Sequence, residues 1–317
     1  MLTFLLRRSL IALGSVAGAS IVLFTVLALA PGDVFAELVS NPGIPADVVA
    51  NLRAQLGLDQ PVYIRYLLWA SSMLQGDWGY SFVNRIPVED LILQRLPATF
   101  MVVGSSQILA LLIALPVGVY AALRPYSLFD QIASALTFVG FSLPTFFTGL
   151  LFILLFSISL GWLPFIYRGN LDVTGWAWVV AQVKQSLMPV VVLAMAQAAS
   201  WTRYVRSSAL EVVQLEYVVT ARAKGMPERQ VIVKHVLRNA LIPVVTMVAL
   251  ELPAVFGGAI VTEQIFRVPG VGSLLISSIL ANDTPVIMAV TFVVACLVIL
   301  FNLIADMLYR WLDPRIK

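Results

Sequence analysis

The side chains able to do chemistry are few in this chain, and they are unevenly placed. It has one histidine, His235, and one cysteine, Cys296. There is no His-Glu-x-x-His pair, no Gly-x-x-x-x-Gly-Lys-Ser/Thr phosphate loop and no credible Ser/His/Asp set, so metal-assisted and nucleophilic catalysis have little to work with. No catalytic residue, no metal site and no cofactor on this chain is expected. The polar side chains gather instead in one stretch, "EYVVTARAKGMPERQVIVKH", residues 216–235, which carries Glu216, Arg222, Lys224, Glu228, Arg229, Lys234 and His235. Long uncharged runs flank it. A second oddity is Glu251, a lone carboxylate beside Pro253 inside an apolar segment.

The elements that must position these groups follow from composition. Hydrophobic residues make up 60% of the chain and charged residues 12%, with a mean hydropathy of +0.93. Soluble domains carry about 25% charged residues. About 20 apolar residues cross the roughly 30 Å hydrocarbon layer of a bilayer. Runs of that kind are Ser9–Gly32, Thr99–Leu123, Gln131–Tyr167, Gln185–Thr202, Asn239–Thr262 (broken only by Glu251) and Thr284–Ala305. The third is too long for one straight span and too short for two. It reads as one helix followed by the interfacial aromatics Trp162, Phe165 and Tyr167, since such rings favour the headgroup level. The expectation is an all-α integral membrane protein with six transmembrane helices.

Arg7 and Arg8, the first apolar run and Ala28-Leu29-Ala30 have the form of a signal peptide. That run exceeds the usual h-region and Pro31 follows the small residues, so a retained first helix is expected. Placing the N-terminus inside puts 13 of the 20 lysines and arginines on cytoplasmic pieces, as the positive-inside rule requires. Three parts result: residues 1–30 with the first span, an extracytoplasmic helical segment over 31–98, and a five-helix core over 99–317 that contains a cytoplasmic loop at 203–240. The basic balance of +3 is explained by this topology, and nucleic-acid binding is not needed to account for it. Within 31–98, Pro45 and Asp47 open one helix ending near Gly57, and Pro61 opens another ending at Gly76. Further on, Gly270 and Gly272 suit a tight turn, and "SLLISSIL" a short re-entrant or interfacial helix.

The polar loop reads as helix, glycine turn, helix. Ser208–Glu211 fits a capping box and marks a first helix running to Lys224. Gly225 sits where a helix C-terminus wants a residue of positive φ, and Pro227 and Glu228 suit the next first turn. A solvated connector with snorkelling bases is one reading. About forty residues is long for that, and "TARAKG" suits insertion into the cleft of a partner protein. Glu251 at membrane depth costs at least a few kcal/mol unless paired or hydrated. It could attract a cationic solute along a pathway, meet a polar group on a partner chain, or be a packed protonated acid. Gln107 and Gln197 are weaker pathway candidates, with interhelical hydrogen bonds as the alternative. Pro116, Pro144 and Pro253 interrupt spans and free carbonyls of the kind that line cavities, or are plain kinks. Asp306 and Arg310 lie four apart, the spacing of a pair on one helix face.

At this point the chain resembles a known family. The 203–240 loop is similar to the cytoplasmic "EAA" loop of the membrane subunits of bacterial ABC importers, in the variant of the oligopeptide, dipeptide and nickel permeases (the B-type permease of the pair). "LGLDQPVYIRYLLWASSMLQGDWGYSF" with "RLPATF", "FSLPTFFTGLLFILLFSISLGWLP", "RVPGVGSLL" and "LDPRIK" resemble that family's other segments in order, over nearly the whole chain. Anchored on Gly225, the general loop pattern matches at Ala221 and Leu237, while Val219 and Thr220 stand at its Glu and first Ala, and His235 and Arg238 replace its Ile and Pro. The resemblance implies the type I ABC importer permease fold, a second homologous permease, two cytoplasmic ATP-binding subunits that hold ATP and Mg, and an extracytoplasmic solute-binding protein. It implies ATPase-coupling residues at Glu216, Tyr217, Thr220, Ala221, Arg222, Ala223, Lys224, Gly225, His235 and Arg238, with Arg222 and Lys224 free to pair with acidic groups of the ATPase and Ala221 and Ala223 permitting close approach. A self-contained proton-coupled secondary transporter working through Glu251 is the competing expectation; it leaves the long loop unexplained. A membrane enzyme is the third.

Overall fold

The computed structural model describes residues 2–29, 59–169 and 171–312. Among these the architecture is helical, with one isolated antiparallel bridge between Tyr80 and Pro87. The expected helix opened by Pro45 lies outside the described residues, as does Asp313. Helix α1 is Leu2–Leu29, α2 is Val62–Leu74 and α3 is Val88–Leu123. Next come α4, Leu128–Ser142, and α5, Thr145–Phe152, which continues as a π-helical stretch over Ile153–Ser159. Helix α6 is Gly175–Val213 and α7 Glu216–Ala223. A short turn at Glu228–Gln230 and a π-helical stretch at Val231–Leu237 lead without a break into α8, Arg238–Ile265. Helices α9, Val271–Leu280, and α10, Thr284–Leu312, are the last described elements. Five helices are long and apolar enough to cross a membrane, and six spans result when the bent pair α4–α5 counts as one.

That bent pair corrects the reading of Gln131–Tyr167 as one helix. Its two halves meet at 101°, broken at Leu143–Pro144. Proline has no N–H to continue the ladder, and it pushes the residue before it into extended backbone; Leu143 has φ −86 and ψ 124. Pro116, by contrast, stays inside an unbroken α3, and α8 is helical through position 253. Tyr167 is buried against the protein, with its N–H on the Phe266 carbonyl at 3.1 Å and its hydroxyl against Gln182. The arrival of α2 matches expectation, from Pro61 to a turn at Gly76 with φ +87.

The core forms where α3 and α6 run side by side. Ala110 and Ala114 of α3 and Ala194 and Ala198 of α6 surround the fully buried Trp201. At Gly118 a Cβ would lie 2.7 Å from Val205 Cβ and 2.9 Å from the Thr202 carbonyl. Small residues let apolar helices approach to backbone contact, which supplies the packing that a membrane's own solvent cannot drive. Helix α4 crosses an adjoining face of α6, with Gly140 opposite Ala199. Helices α1 and α10 flank the core, and Tyr66 and Trp69 of α2 stack with Phe24 and Phe292 across them. At the other extremity Arg8 of α1 pairs with Asp306 of α10 at 2.9 Å. Asp306 thus has an interhelical partner.

Candidate functional site: a helical elbow and an intramembrane carboxylate

The polar island folds into an elbow between the spans α6 and α8. Its first helix begins later than expected. Ser208 and Glu211 lie inside α6, which runs on to Val213, so the capping box is not a helix start. The Ser208 hydroxyl donates instead to the Ala240 carbonyl at 2.9 Å and ties α6 to α8. The elbow proper is α7, which starts at Glu216. It ends in a Schellman turn: Met226 N–H donates to the Ala221 carbonyl at 3.3 Å and Gly225 N–H to Arg222 at 2.9 Å. Gly225 takes φ +74, the left-handed conformation that glycine adopts without a Cβ penalty. Pro227 precedes the next turn, whose first residue is Glu228.

Packing gives the elbow one stiff side. Val218 and Ala221 of α7 are buried against Ala122, Ala209, Val231, Val236 and Ala240, with Met226 covering the edge. Ala221 is thus an internal contact, not a surface offered to another chain, whereas Ala223, Lys224 and Tyr217 are exposed. Arg222 has a partner within the elbow: its Nε and NH2 donate to Glu228 at 3.2 and 2.8 Å across the glycine turn. The guanidinium holds the Glu228 carboxyl below its ordinary value, and Glu228 raises Arg222 in return. The Thr220 hydroxyl caps back onto the Glu216 carbonyl at 2.8 Å. His235 lies in the π-helical stretch with its ring 6.4 Å from that of Tyr217, and its carbonyl accepts from Asn239 at 2.7 Å. Arg238 opens α8.

Within the spans, two of the four pathway candidates meet. The Glu251 carboxylate Oε2 accepts from Gln197 Nε2 at 2.8 Å and from the Trp201 indole N–H at 2.5 Å. Trp201, which the sequence reading did not single out, is the second donor. Gln107 is buried in α3 and its Oε1 has no hydrogen-bond partner among the described residues; it does not join this cluster. The side chain of Pro253 falls outside the described ones.

Three polar devices went unread in the sequence. Asp130, buried at the start of α4, accepts from Arg206 Nε at 2.5 Å and NH2 at 2.8 Å, and from Tyr126 N–H at 2.9 Å. This links the α3–α4 turn to the α6 stem of the elbow. At the opposite end of the bundle Glu263 is fully buried. It accepts from the Thr99 hydroxyl at 2.7 Å and Ser273 N–H at 2.9 Å, while Thr99 accepts from Val271 N–H at 2.8 Å. Gly270 and Gly272 leave room for it: a Cβ at the former would overlap the Glu263 carboxylate, and at the latter would lie 2.7 Å from Ile260 Cα. Their role is close approach, since Gly270 has φ −101. Nearby, Asp283 accepts from the Ser81 hydroxyl at 2.5 Å and the N–H groups of Phe82 and Val83 at 3.2 and 3.3 Å. Short polar motifs in the sequence carried a partial signal, Ser127 three residues before Asp130 and the glycines after Glu263, but the partners lie tens to hundreds of residues away.

The described residues thus form a polytopic helical bundle with a polar elbow between two spans. Family comparison makes this specific. Residues 114–317 match the model of the binding-protein-dependent transport system inner membrane component, and residues 1–103 match its N-terminal counterpart. The chain belongs to that family and has the type I ABC importer permease fold. It is 41% identical over 319 residues to the oligopeptide transport system permease protein AppB of Bacillus subtilis (strain 168), covering 100% of both chains. A putative peptide permease protein of Brucella suis biovar 1 (strain 1330) is 38% identical, with 100% of this chain and 99% of that one covered. A glutathione transport system permease protein GsiC of Salmonella choleraesuis (strain SC-B67) is 37% identical over the same shares. The family is one of transport permeases, not enzymes, and it supports the ABC permease reading rather than a self-contained secondary transporter.

Proposed function

We propose that this chain forms half of the translocation pathway of an ATP-driven importer for peptides or similar small solutes handed over by an extracytoplasmic binding protein. The observation that carries this is full-length similarity to permeases named for oligopeptides, peptides and glutathione. The remaining partners are a second homologous permease and two cytoplasmic ATP-binding subunits, on which ATP and Mg are bound and hydrolysed. The protein sits in the bacterial cytoplasmic (inner) membrane with its N- and C-termini and the elbow facing the cytoplasm, in keeping with the basic bias of that end.

The elbow acts as the coupling element. Tyr217, Ala223 and Lys224 form its exposed face toward the ATP-binding subunit, together with Glu216 and Thr220. Val218 and Ala221 form the inner face that passes motion to α6 and α8, and Arg222 braces the turn through Glu228. His235 and Arg238 sit at the foot of α8, where the movement enters the span. Within the spans, Glu251, Gln197 and Gln107 belong to the solute path, with Pro253 two residues beyond Glu251 in the same helix. ATP can shift the inward–outward equilibrium only by its differential binding to the two states, so a stiff connection between elbow and spans is a requirement. Gly225→Val tests this. A β-branched residue resists positive φ, so the turn distorts while insertion and subunit assembly persist. The expected result in proteoliposomes is loss of uptake with continued ATP hydrolysis. Normal uptake by Gly225→Val would sink the assignment.

A further inference from the structure

Glu251 is held from one side only. Both donors fall on Oε2, and among the described residues none meets Oε1 and no Lys, Arg or His pairs with the group. The nearest-numbered cation of the neighbouring helix, Arg203 of α6, lies over the Phe141 ring at 5.2 Å from its centroid. The donors are themselves fixed. Trp201 is fully buried among Ala110, Ala114, Ala194 and Ala198, so its indole N–H cannot swing away. Glu251 itself stays partly exposed. The arrangement is a carboxylate oriented by two neutral donors with one oxygen left over. Neutral donors solvate a charge partially and leave it uncompensated, and an uncompensated carboxylate in a span is costly. A cation from outside the chain supplies the missing half.

We infer that Glu251 is a subsite for a primary ammonium group, with Oε2 held by Gln197 and Trp201 and Oε1 presented to the solute. The inference rests on the peptide-class reading above. Oligopeptides, peptides and glutathione share one cationic feature, a free α-ammonium, one N–H of which can meet the open oxygen while the others stay hydrated. Two neutral donors opposite keep the hold moderate, which a pathway site needs if solute is to leave again.

The test uses the assembled transporter in proteoliposomes, with its binding protein loaded equally by a peptide and by the N-acetylated form of the same peptide. Uptake of each is compared for the native chain and for Glu251→Gln, which keeps the size of the side chain and an acceptor for Gln197 and Trp201. The expected result is a preference of the native protein for the free amine of about tenfold, the worth of one charge-assisted contact. In Glu251→Gln that preference collapses to near unity because uptake of the free amine falls about tenfold more than uptake of the N-acetyl form, with the second permease still co-purifying. An unchanged preference overturns the proposal, and means the acid is neutral or discrimination lies elsewhere. Loss of the second permease from Glu251→Gln preparations also overturns it, and puts the cation on the partner. An equal loss for both peptides overturns it in favour of a packing role. Failure of the native transporter to import either peptide, while importing another class of solute, removes the peptide reading itself.

Discussion

The two ends of the helix bundle solve the same electrostatic problem in different ways. At the basic end, each of three carboxylates is matched to a guanidinium: Asp130 to Arg206, Asp306 to Arg8 and Glu228 to Arg222. At the opposite end, the buried carboxylates Glu263 and Asp283 are held by hydroxyls and backbone N–H groups. The first arrangement joins helices to helices through side chains. The second joins loops to helices through the main chain, because turns and helix starts expose N–H groups that need acceptors. The consequence is mechanical. The basic end is a set of struts between helices and an elbow, whereas the opposite end is a clamp on the segments between spans.

If that contrast is right, the largest effect comes from breaking the buried strut. Asp130→Ala leaves Arg206 without its bidentate partner and Tyr126 N–H without an acceptor, and stranding a part-buried charge and a backbone donor costs about 2–3 kcal/mol. The expected outcome is a marked fall in the unfolding temperature of the detergent-solubilised protein, with loss of uptake. Arg206→Ala should match it. The exchanged pair Asp130→Arg with Arg206→Asp should recover part of the loss, because the attraction is restored even where the Tyr126 contact is not. No recovery in the double variant would mean that backbone capping by Asp130, rather than the ion pair, holds the α3–α4 turn.

The clamp should respond in the opposite manner, through space rather than charge. A methyl group at Gly270 overlaps the Glu263 carboxylate, and overpacking of this kind costs about 1–3 kcal/mol. Glu263→Ala removes acceptors from Thr99 and Ser273, at about 1–3 kcal/mol for buried donors left unmet. The two changes touch the same contact, so the double variant should be less destabilised than the sum, a coupling that thermal unfolding can measure. Gly272→Ala provides the contrast. Its added atom meets the backbone of Ile260 at 2.7 Å, so Glu263→Ala should bring it little relief. Additive behaviour in the first pair would show that Gly270 is needed for its backbone and not for its emptiness.

Much of the basic end was legible in the sequence, and little of the clamp or the cluster around Glu251 was. The elbow is built from local signals: Gly225, Pro227 and Glu228 adjoin one another, and local spacing dictates the Schellman turn and the following helix. Spans were readable for the same reason, since a bilayer imposes a length on apolar runs. Ser208–Glu211 misled because a capping box is only a four-residue pattern, and α6 had a packing reason to continue, namely the bond from Ser208 to Ala240. Pro144 and Pro116 look alike in sequence. Only the first breaks its helix, and the second stays within a helix packed closely along α6. Glu251 stood out by its charge alone, but its partner Trp201 carries no signal in an apolar run. Thr99 and Glu263 are 164 positions apart, and Ser81 and Asp283 are 202 apart. No local pattern reports such pairings.

The smallest effect expected is at the exposed strut, and it sharpens the comparison by pH. Arg222 holds the Glu228 carboxyl below its ordinary value near 4.5. A depressed carboxyl stabilises the native elbow at pH values above the unfolded value, and that contribution is lost as pH falls through the lower folded value. It is therefore fully present at neutral pH and disappears only in the acid range below about 4.5. Both side chains are largely exposed, so salt and water screen the pair, and its worth is a few tenths of a kcal/mol at most. Glu228→Gln should thus leave the unfolding temperature at pH 7 almost unmoved and lower slightly the acid sensitivity of the elbow. It should also leave ATPase binding intact, because the helix start set by Pro227 and the glycine turn remain. A large loss of uptake in Glu228→Gln with unchanged stability would move this residue from brace to contact, and would make the exposed strut, not the buried one, the point where force enters the membrane.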